Sequence, residues 1–263
     1  MTTLGATAPV GAILRDWRER RRFSQQELSN ISAVSTRHLS RVETGKAHPS
    51  PEMVLRLADH LDVPLRARNR LLLAGGYAPR YPDHTLQDSS LASVMDGLRG
   101  LLDAHLPFPA LLLDDYWDIV DTNAAVDALL ADCAAELLEP PVNVLRLSVH
   151  PGGLAPQIEN LDQWAAHLHH QAASRAERTG EARHRELATE MARHRGPGVA
   201  EGGAAAAGRC GPVLTMDLRA GEQVLHLFST TARLTTVTDA ALEGLHLETF
   251  LPADEATRRY LTG

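Results

Sequence analysis

The stretch Ser24-Gln25-Gln26-Glu27-Leu28, followed by Ser35-Thr36-Arg37-His38-Leu39-Ser40-Arg41-Val42-Glu43-Thr44-Gly45-Lys46, leaves this chain little choice of local fold. Ser24 and Glu27 stand at capping-box spacing, so each side chain can satisfy a backbone N–H at a helix start. Ser35 offers a second N-cap. After the first cap, Leu28 and Ile31 give the apolar side of a short helix. After the second, Leu39 and Val42 point inward while Thr36, Arg37, Ser40 and Arg41 share the outer face. Gly45 falls where helices end through a left-handed residue. The result is two short helices joined by a tight turn, the second with a polar, basic outer face.

The flanks repeat this grammar. Val10, Ile13, Leu14 and Trp17 follow the spacing of an amphipathic helix. Ser50-Pro51-Glu52 is a cap, a first-turn proline and a carboxylate at the positive dipole end, ahead of a stripe of Met53, Val54, Leu57, Ala58 and Leu61. Pro64 to Ala74 forms a fifth helix, stopped by Gly75-Gly76. The frame Arg-x5-Ser-Gln-x-Glu-Leu … Ser-x-x-x-Leu-Ser-Arg-x-Glu-x-Gly resembles the Cro/repressor-like (XRE) helix-turn-helix family over about residues 9–77. The resemblance implies a five-helix domain whose second motif helix enters the DNA major groove. It gives Gln25 a phosphate or operator-edge contact, and sets Thr36, Arg37 and Arg41 against base edges. His38 and Ser40 are implied near phosphate, Ser35 at the helix start, and Lys46, the chain's only lysine, on the backbone. Arg18 and Glu43 match a family pair that bridges the first and third helices.

Charge separates the chain in two. Residues 1–82 carry 13 Arg and Lys against 7 Asp and Glu, whereas the remainder carries 13 against 26. A basic module on an acidic body is the asymmetry expected of a protein that meets phosphate at one end. At 263 residues and 44% hydrophobic content there is material for two cores. No secretory signal and no long apolar run is evident, so a cytoplasmic location and no membrane partner are expected. Cys133 and Cys210 are too few for a disulfide framework or a cysteine metal site.

The breaker-rich run Gly75 to Asp83 closes the first domain, so the organisation expected is a DNA-binding domain at 1–82, a linker at 83–90 and a second domain at 91–263. A helix carrying Leu91, Val94, Met95, Leu98, Leu101 and Leu102 on one side follows the linker. Next come two strands, Ala110 to Asp115 and Trp117 to Thr122, and an alanine-rich helix from Asn123 to about Glu136. Further on, Val213 to Arg219 and Gln223 to Leu234 read as a hairpin, Leu245 to Phe250 as a fifth strand, and a closing helix starts from about Pro252. Residues 196–211 read as a flexible insertion. This order of elements resembles a PAS-like antiparallel five-stranded sheet flanked by helices. The segments Leu-Pro-Phe-Pro-Ala-Leu-Leu-Leu-Asp at 106–114, Trp-Asp-Ile-Val-Asp-Thr-Asn at 117–123, Val-Asn-Val-Leu-Arg-Leu-Ser-Val-His-Pro-Gly-Gly-Leu at 142–154 and Phe-Leu-Pro-Ala-Asp at 250–254 resemble the ligand-binding domain of MmyB-like transcription regulators over about 91–262.

That resemblance implies a one-component regulator, expected as a homodimer on a palindromic operator, that binds a fatty-acyl or similar apolar metabolite and needs no cofactor. Lining candidates for such a ligand are the aromatics Phe108, Trp117, Trp164 and Phe228, with Arg146, His150, Asn160 and His167 as polar candidates. An alternative is a second domain that only dimerises or docks a protein partner. Enzyme chemistry is not expected. The doublet Asp114-Asp115 alternates along the chain, so its carboxylates point apart, and no phosphate loop, dinucleotide fingerprint or nucleophile elbow is present. Of the histidines in His167-x-His169-His170, only His167 and His170 have the spacing for one helix face, too few to hold a metal.

Overall fold

A computed structural model describes residues 8–194 and 212–263. The insertion read at 196–211 lies outside the described residues, as does Cys210. The chain forms two compact units, one running to Leu86 and including Thr236–Glu243, the other comprising Gln87–Thr235 and Gly244–Gly263.

The first unit holds five helices: α1 Val10–Arg20, α2 Gln25–Ser32, α3 Thr36–Glu43, α4 Pro51–His60 and α5 Leu65–Ala74. The caps behave as their chemistry requires. Ser24 Oγ accepts from Glu27 N at 3.1 Å while Glu27 Oε2 accepts from Ser24 N at 2.7 Å. Ser35 caps α3 and Ser50 caps α4 by the side-chain oxygen alone, accepting from His38 N and Met53 N. The turn from α2 to α3 passes through Ala33 at φ +54°, and Gly45 takes φ +72° after α3. Leu14, Leu28, Leu39, Val42, Leu57, Leu61, Leu71 and Leu72 form the core. Ile31 does not join it and is 47% exposed, contrary to the sequence expectation. Leu28 and Ser32, one turn apart, occupy the inward line of α2, and Ile31 falls beside it.

Helices α1 and α3 approach so closely that a Cβ on Gly11 would lie 1.9 Å from Val42 O. Gly11→Ala must therefore push the two helices apart. A loss of about 1–3 kcal/mol in stability is expected from urea unfolding, as for other overpacked contacts. A variant as stable as the parent would mean the approach is looser than described.

The second unit carries α6 Ala92–Ala104, β1 Ala110–Leu113, β2 Ile119–Thr122, α7 Ala124–Leu130, α8 Val144–Val149, α9 Leu161–Thr179, α10 Ala182–Arg193, β3 Met216–Ala220, β4 Gln223–Arg233, β5 His246–Pro252 and α11 Glu255–Thr262. The strands make one antiparallel sheet in the order β2-β1-β5-β4-β3. Such an order places the last strand in the centre, paired on one side to the first hairpin and on the other to the second. This is the mixed architecture expected, a five-helix unit followed by a PAS-like sheet with flanking helices. Inward-facing Leu111, Leu113, Leu218, Leu225 and Leu227 meet Leu145, Leu147, Trp164, Leu168 and Leu187 from the helices.

Boundaries shifted where tertiary bonds compete with local preference. The alanine-rich helix ends at Leu130 rather than near Glu136, and Ala134 N donates to Gly152 O at 2.7 Å. Strand β5 runs on to Pro252, and α11 starts only after Asp254, whose carboxylate accepts from Thr257 N at 2.7 Å. Leu91, just before α6, and Leu98 and Leu102 on it are buried but Leu101 is exposed, so the apolar stripe is narrower than its composition suggests.

Residues Thr236–Glu243, inside the span read from sequence as part of the second domain, belong to the helical unit. They form the connection between β4 and β5. Ala240 N donates to Pro82 O at 2.8 Å, His84 Nδ1 lies 2.5 Å from Asp239 Oδ2, and Leu65 N donates to Glu243 Oε2 at 2.6 Å. The last bond sets a carboxylate at the N-terminus of α5, where free N–H groups and the helix dipole favour it.

Candidate functional site

In the helical unit the residues expected to meet DNA cluster on α3 and its ends. Arg37 and Arg41, one turn apart, are exposed, as are Ser35 and Lys46, while Thr36, His38 and Ser40 are half-buried. Leu39, Val42 and Glu43 are buried on the opposite side and fix how α3 is presented. Thr36 Oγ1 donates to Gln26 Oε1 at 3.1 Å, and Gln26 Nε2 donates to Asn30 Oδ1 at 2.8 Å. Exposed Gln26 thus stands beside the start of α3. Gln25, half-buried, donates to Glu43 Oε2 at 2.7 Å.

Glu43 is the hub beneath this surface. Arg18 Nε donates to Glu43 Oε1 at 2.7 Å and Arg18 Nη2 to Glu43 Oε2 at 2.9 Å, both side chains being buried. Arg18 Nη1 also donates to Phe23 O at 2.7 Å. A planar guanidinium spreads these three bonds over separate nitrogens in a fork that matches the carboxylate, a geometry that the single nitrogen of an ammonium does not offer. The pair ties α1, the loop before α2 and the end of α3 into one geometry.

The second unit contains a cavity with an empty volume of about 670 Å³, its mouth included. Its sheet wall comprises Leu111, Ile119, Met216, Glu248 and Phe250, and its helical wall includes Val126, Leu130, Leu147, Trp164 and Leu168. Leu111 and Glu248 are direct partners across β1 and β5, so they share one sheet face, and Phe250 joins them two residues on. Ser148, Gln171, Glu248 and the Trp164 indole are the polar elements of this wall. Burial pushes the Glu248 carboxyl above its ordinary range, and a hydrogen bond from Ser229 opposes the shift. Trp164 Nε1 is buried with no hydrogen-bond partner among the described residues.

Of the eight ligand candidates read from the sequence, Trp164 lines this cavity. The others are placed elsewhere. Trp117 is buried beside Arg175, whose guanidinium lies 5.7 Å from the indole centre. Arg146 makes a two-pronged pair with Glu190 at 3.0 Å. His150 Nδ1 accepts from Gly152 N at 3.0 Å and shapes its own loop. Asn160 accepts from Asp217 N at 3.0 Å and donates to Thr215 O at 2.7 Å, joining the start of α9 to β3. His167 Nε2 lies 2.8 Å from Gln171 Nε2, and burial keeps this imidazole below its ordinary pKa. Phe108 and Phe228 are half-buried and outside the cavity wall.

Glu248 and Gln171 were not legible as site residues. Glu248 is the acidic residue of a strand that also carries His246 and Thr249, and Gln171 is one polar residue among several on α9. A second feature that escaped sequence reading is Arg175. It is buried, with Nη2 2.8 Å from Asp115 Oδ1 as an ion pair without hydrogen-bond alignment. Burial pulls its pKa down to about 10 against the pull of Asp115.

Two family models match the chain. Residues 9–71 match a helix-turn-helix domain model, and residues 94–262 match the model of the MmyB-like transcription regulator ligand binding domain. Proteins of Methanococcus maripaludis strains C5 and C7, described as HTH-type transcriptional regulatory proteins, are each 42% identical over 55 residues, 21% of this chain. The chain spans 17% of the length of these relatives. Among the described residues no helix is long and apolar enough to cross a membrane. With the second match extending over most of the chain, and with the five-stranded sheet and its cavity inside the matched span, the chain belongs to the MmyB-like transcription regulator ligand binding domain family.

Proposed function

We propose that this protein is a sequence-specific DNA-binding transcription regulator, acting as a homodimer on a palindromic operator and modulated by a small apolar molecule in the second unit. The observation that carries the DNA-binding half is the presentation of α3. Its inner side is locked by Leu39, Val42 and the Arg18–Glu43 pair, while Arg37 and Arg41 project one turn apart into solvent. An Arg on such a helix can donate two bonds to guanine O6 and N7. Lys46 and the N-cap Ser35 suit phosphate contacts, which position the protein without reading sequence.

The sensing half is supported by the cavity, mostly apolar with a few polar groups, the usual make-up of a small-molecule site. A route for the signal lies in the chain itself. Glu248 and Phe250 of the cavity wall lie five and seven residues beyond Thr236–Glu243, which is bonded into the helical unit through Pro82, His84 and the start of α5. A ligand that favours one position of β5 therefore acts on a segment that also caps α5. Coupling of about 1–3 kcal/mol is the usual scale for such linkage.

Selection of binding sites from random duplexes, followed by titration at fixed salt, tests this reading. A palindromic site with half-sites about one helical turn apart is expected. Arg37→Ala and Arg41→Ala each cost about 1–3 kcal/mol on that site and relax preference at one base. Lys46→Ala weakens all sequences alike. Equal affinity for every duplex overturns the proposal. A monomer on DNA overturns its dimeric part.

A further inference from the structure

We propose that the cavity selects an uncharged, polar-headed apolar molecule, of the alkyl alcohol or primary amide class, over a carboxylate of the same chain length. The proposal rests on reading the cavity as the ligand site, and it departs from the fatty-acyl expectation because of what the walls contain. Glu248 is the single ionisable side chain among the lining residues, and no Arg, Lys or His is among them. Nearby cationic side chains are already engaged. Arg146 is paired with Glu190, and Arg175 with Asp115.

A ligand carboxylate would enter a low-dielectric space with no counter-charge among the described lining residues and with another carboxyl on the wall. The first circumstance penalises the ionised form through lost hydration, and the second requires Glu248 to stay protonated whenever the ligand is ionised. His167 is no remedy, since its ring is engaged with Gln171 and burial favours its neutral form.

An uncharged head group meets the opposite situation. Burial favours the neutral, protonated form of Glu248, which can both donate and accept a hydrogen bond. Gln171 brings a further amide, and the buried Trp164 Nε1–H lacks an acceptor among the described residues. An unsatisfied buried donor is costly, so a ligand oxygen that reached it would bind with that cost relieved. A hydroxyl or amide head supplies such an oxygen without importing a charge. The remaining wall, including Val126, Leu130, Leu147 and Leu168, takes the alkyl chain.

The experiment is calorimetric titration of the full-length protein at neutral pH with the alcohol, primary amide, carboxylate and primary amine of a homologous series of straight alkyl chains. The alcohol and amide are expected to bind at least about tenfold tighter than the carboxylate of equal length. Glu248→Gln, which removes the wall carboxyl at nearly constant shape, should raise carboxylate affinity and narrow that ratio. Leu168→Trp, which fills the cavity, should abolish binding of all four, with Val126→Phe as a second filling variant if the first does not fold. Equal or tighter binding of the carboxylate overturns the selectivity while leaving the cavity as the site, as does tightest binding of the amine. Binding that both filling variants leave intact, or no binding by any of the four, overturns the cavity reading itself.

Discussion

Replacing Glu43 by Ala is expected to lower the stability of the helical unit by about 3–5 kcal/mol. The size follows from what remains behind. Arg18 stays buried and charged, with Glu19 Oε1 at 3.5 Å as its remaining carboxylate, and Glu19 is largely exposed. Gln25 loses its acceptor as well. The cost is mainly that of an uncompensated charge, so removing both partners should be much milder. Arg18→Met combined with Glu43→Leu is expected to recover most of the loss in urea unfolding, because apolar residues of similar volume avoid the desolvation penalty. The pair's second role is separable. Glu43 closes α3 from below, so the double variant should fold yet discriminate operators less well than the parent. A Glu43→Ala loss under about 1 kcal/mol would show that the pair is not desolvated in solution.

Asn123→Ala is expected to cost about 3 kcal/mol, here in the second unit. Asn123 is fully buried and bonds in several directions at once. Its Nδ2 donates to Leu102 O at 3.0 Å and Phe108 O at 2.9 Å, and its Oδ1 accepts from Ala110 N at 3.2 Å. It also caps α7, accepting from Val126 N at 3.4 Å. One amide therefore joins the end of α6, the start of β1 and the start of α7, the helix that carries Val126 and Leu130 of the cavity wall. Truncation strands buried backbone groups that water does not readily reach. Asn123→Asp keeps the cap acceptor but sets a buried carboxylate oxygen against the Leu102 and Phe108 carbonyls, so it should be no more stable than Ala. Chemical denaturation followed by tryptophan fluorescence reads both. An Asp variant close to the parent in stability would show that the cap, and not the donated bonds, carries the effect.

What could be read before folding was whatever depends on neighbours in sequence. Caps such as Ser24, Ser35 and Ser50 act over three residues, so their positions were visible at once. The inward lines of α1 and α4 follow from helical period alone, and the succession of two strands, helices and three strands was legible, whereas the order of those strands in the sheet came from the structure. Ile31 and Leu101 show the limit of that approach. Both are apolar and near the right phase, yet helices as short and partly covered as α2 and α6 bury only a narrow line.

The site divides along the same boundary. The α3 surface was legible because a recognition helix is local, a run of eight residues whose faces are set by its own period. The cavity was not, because it arises from residues far apart in sequence that two layers bring together. Glu248 faces it through its register with Leu111, and Gln171 through its place on α9. No local pattern separates these two from ordinary surface polar residues. The return of Thr236–Glu243 to the helical unit was equally hidden, since it depends on partners at Leu65, Pro82 and His84 that lie far back along the chain. By itself the sequence determined that a basic helix-turn-helix precedes an acidic sensor-like sheet, because short-range caps, periodicity and charge decide those. Tertiary structure alone decided which side chains share the cavity wall and that Thr236–Glu243 returns to the helical unit, because strand register and long-range hydrogen bonds exist only once distant segments have packed.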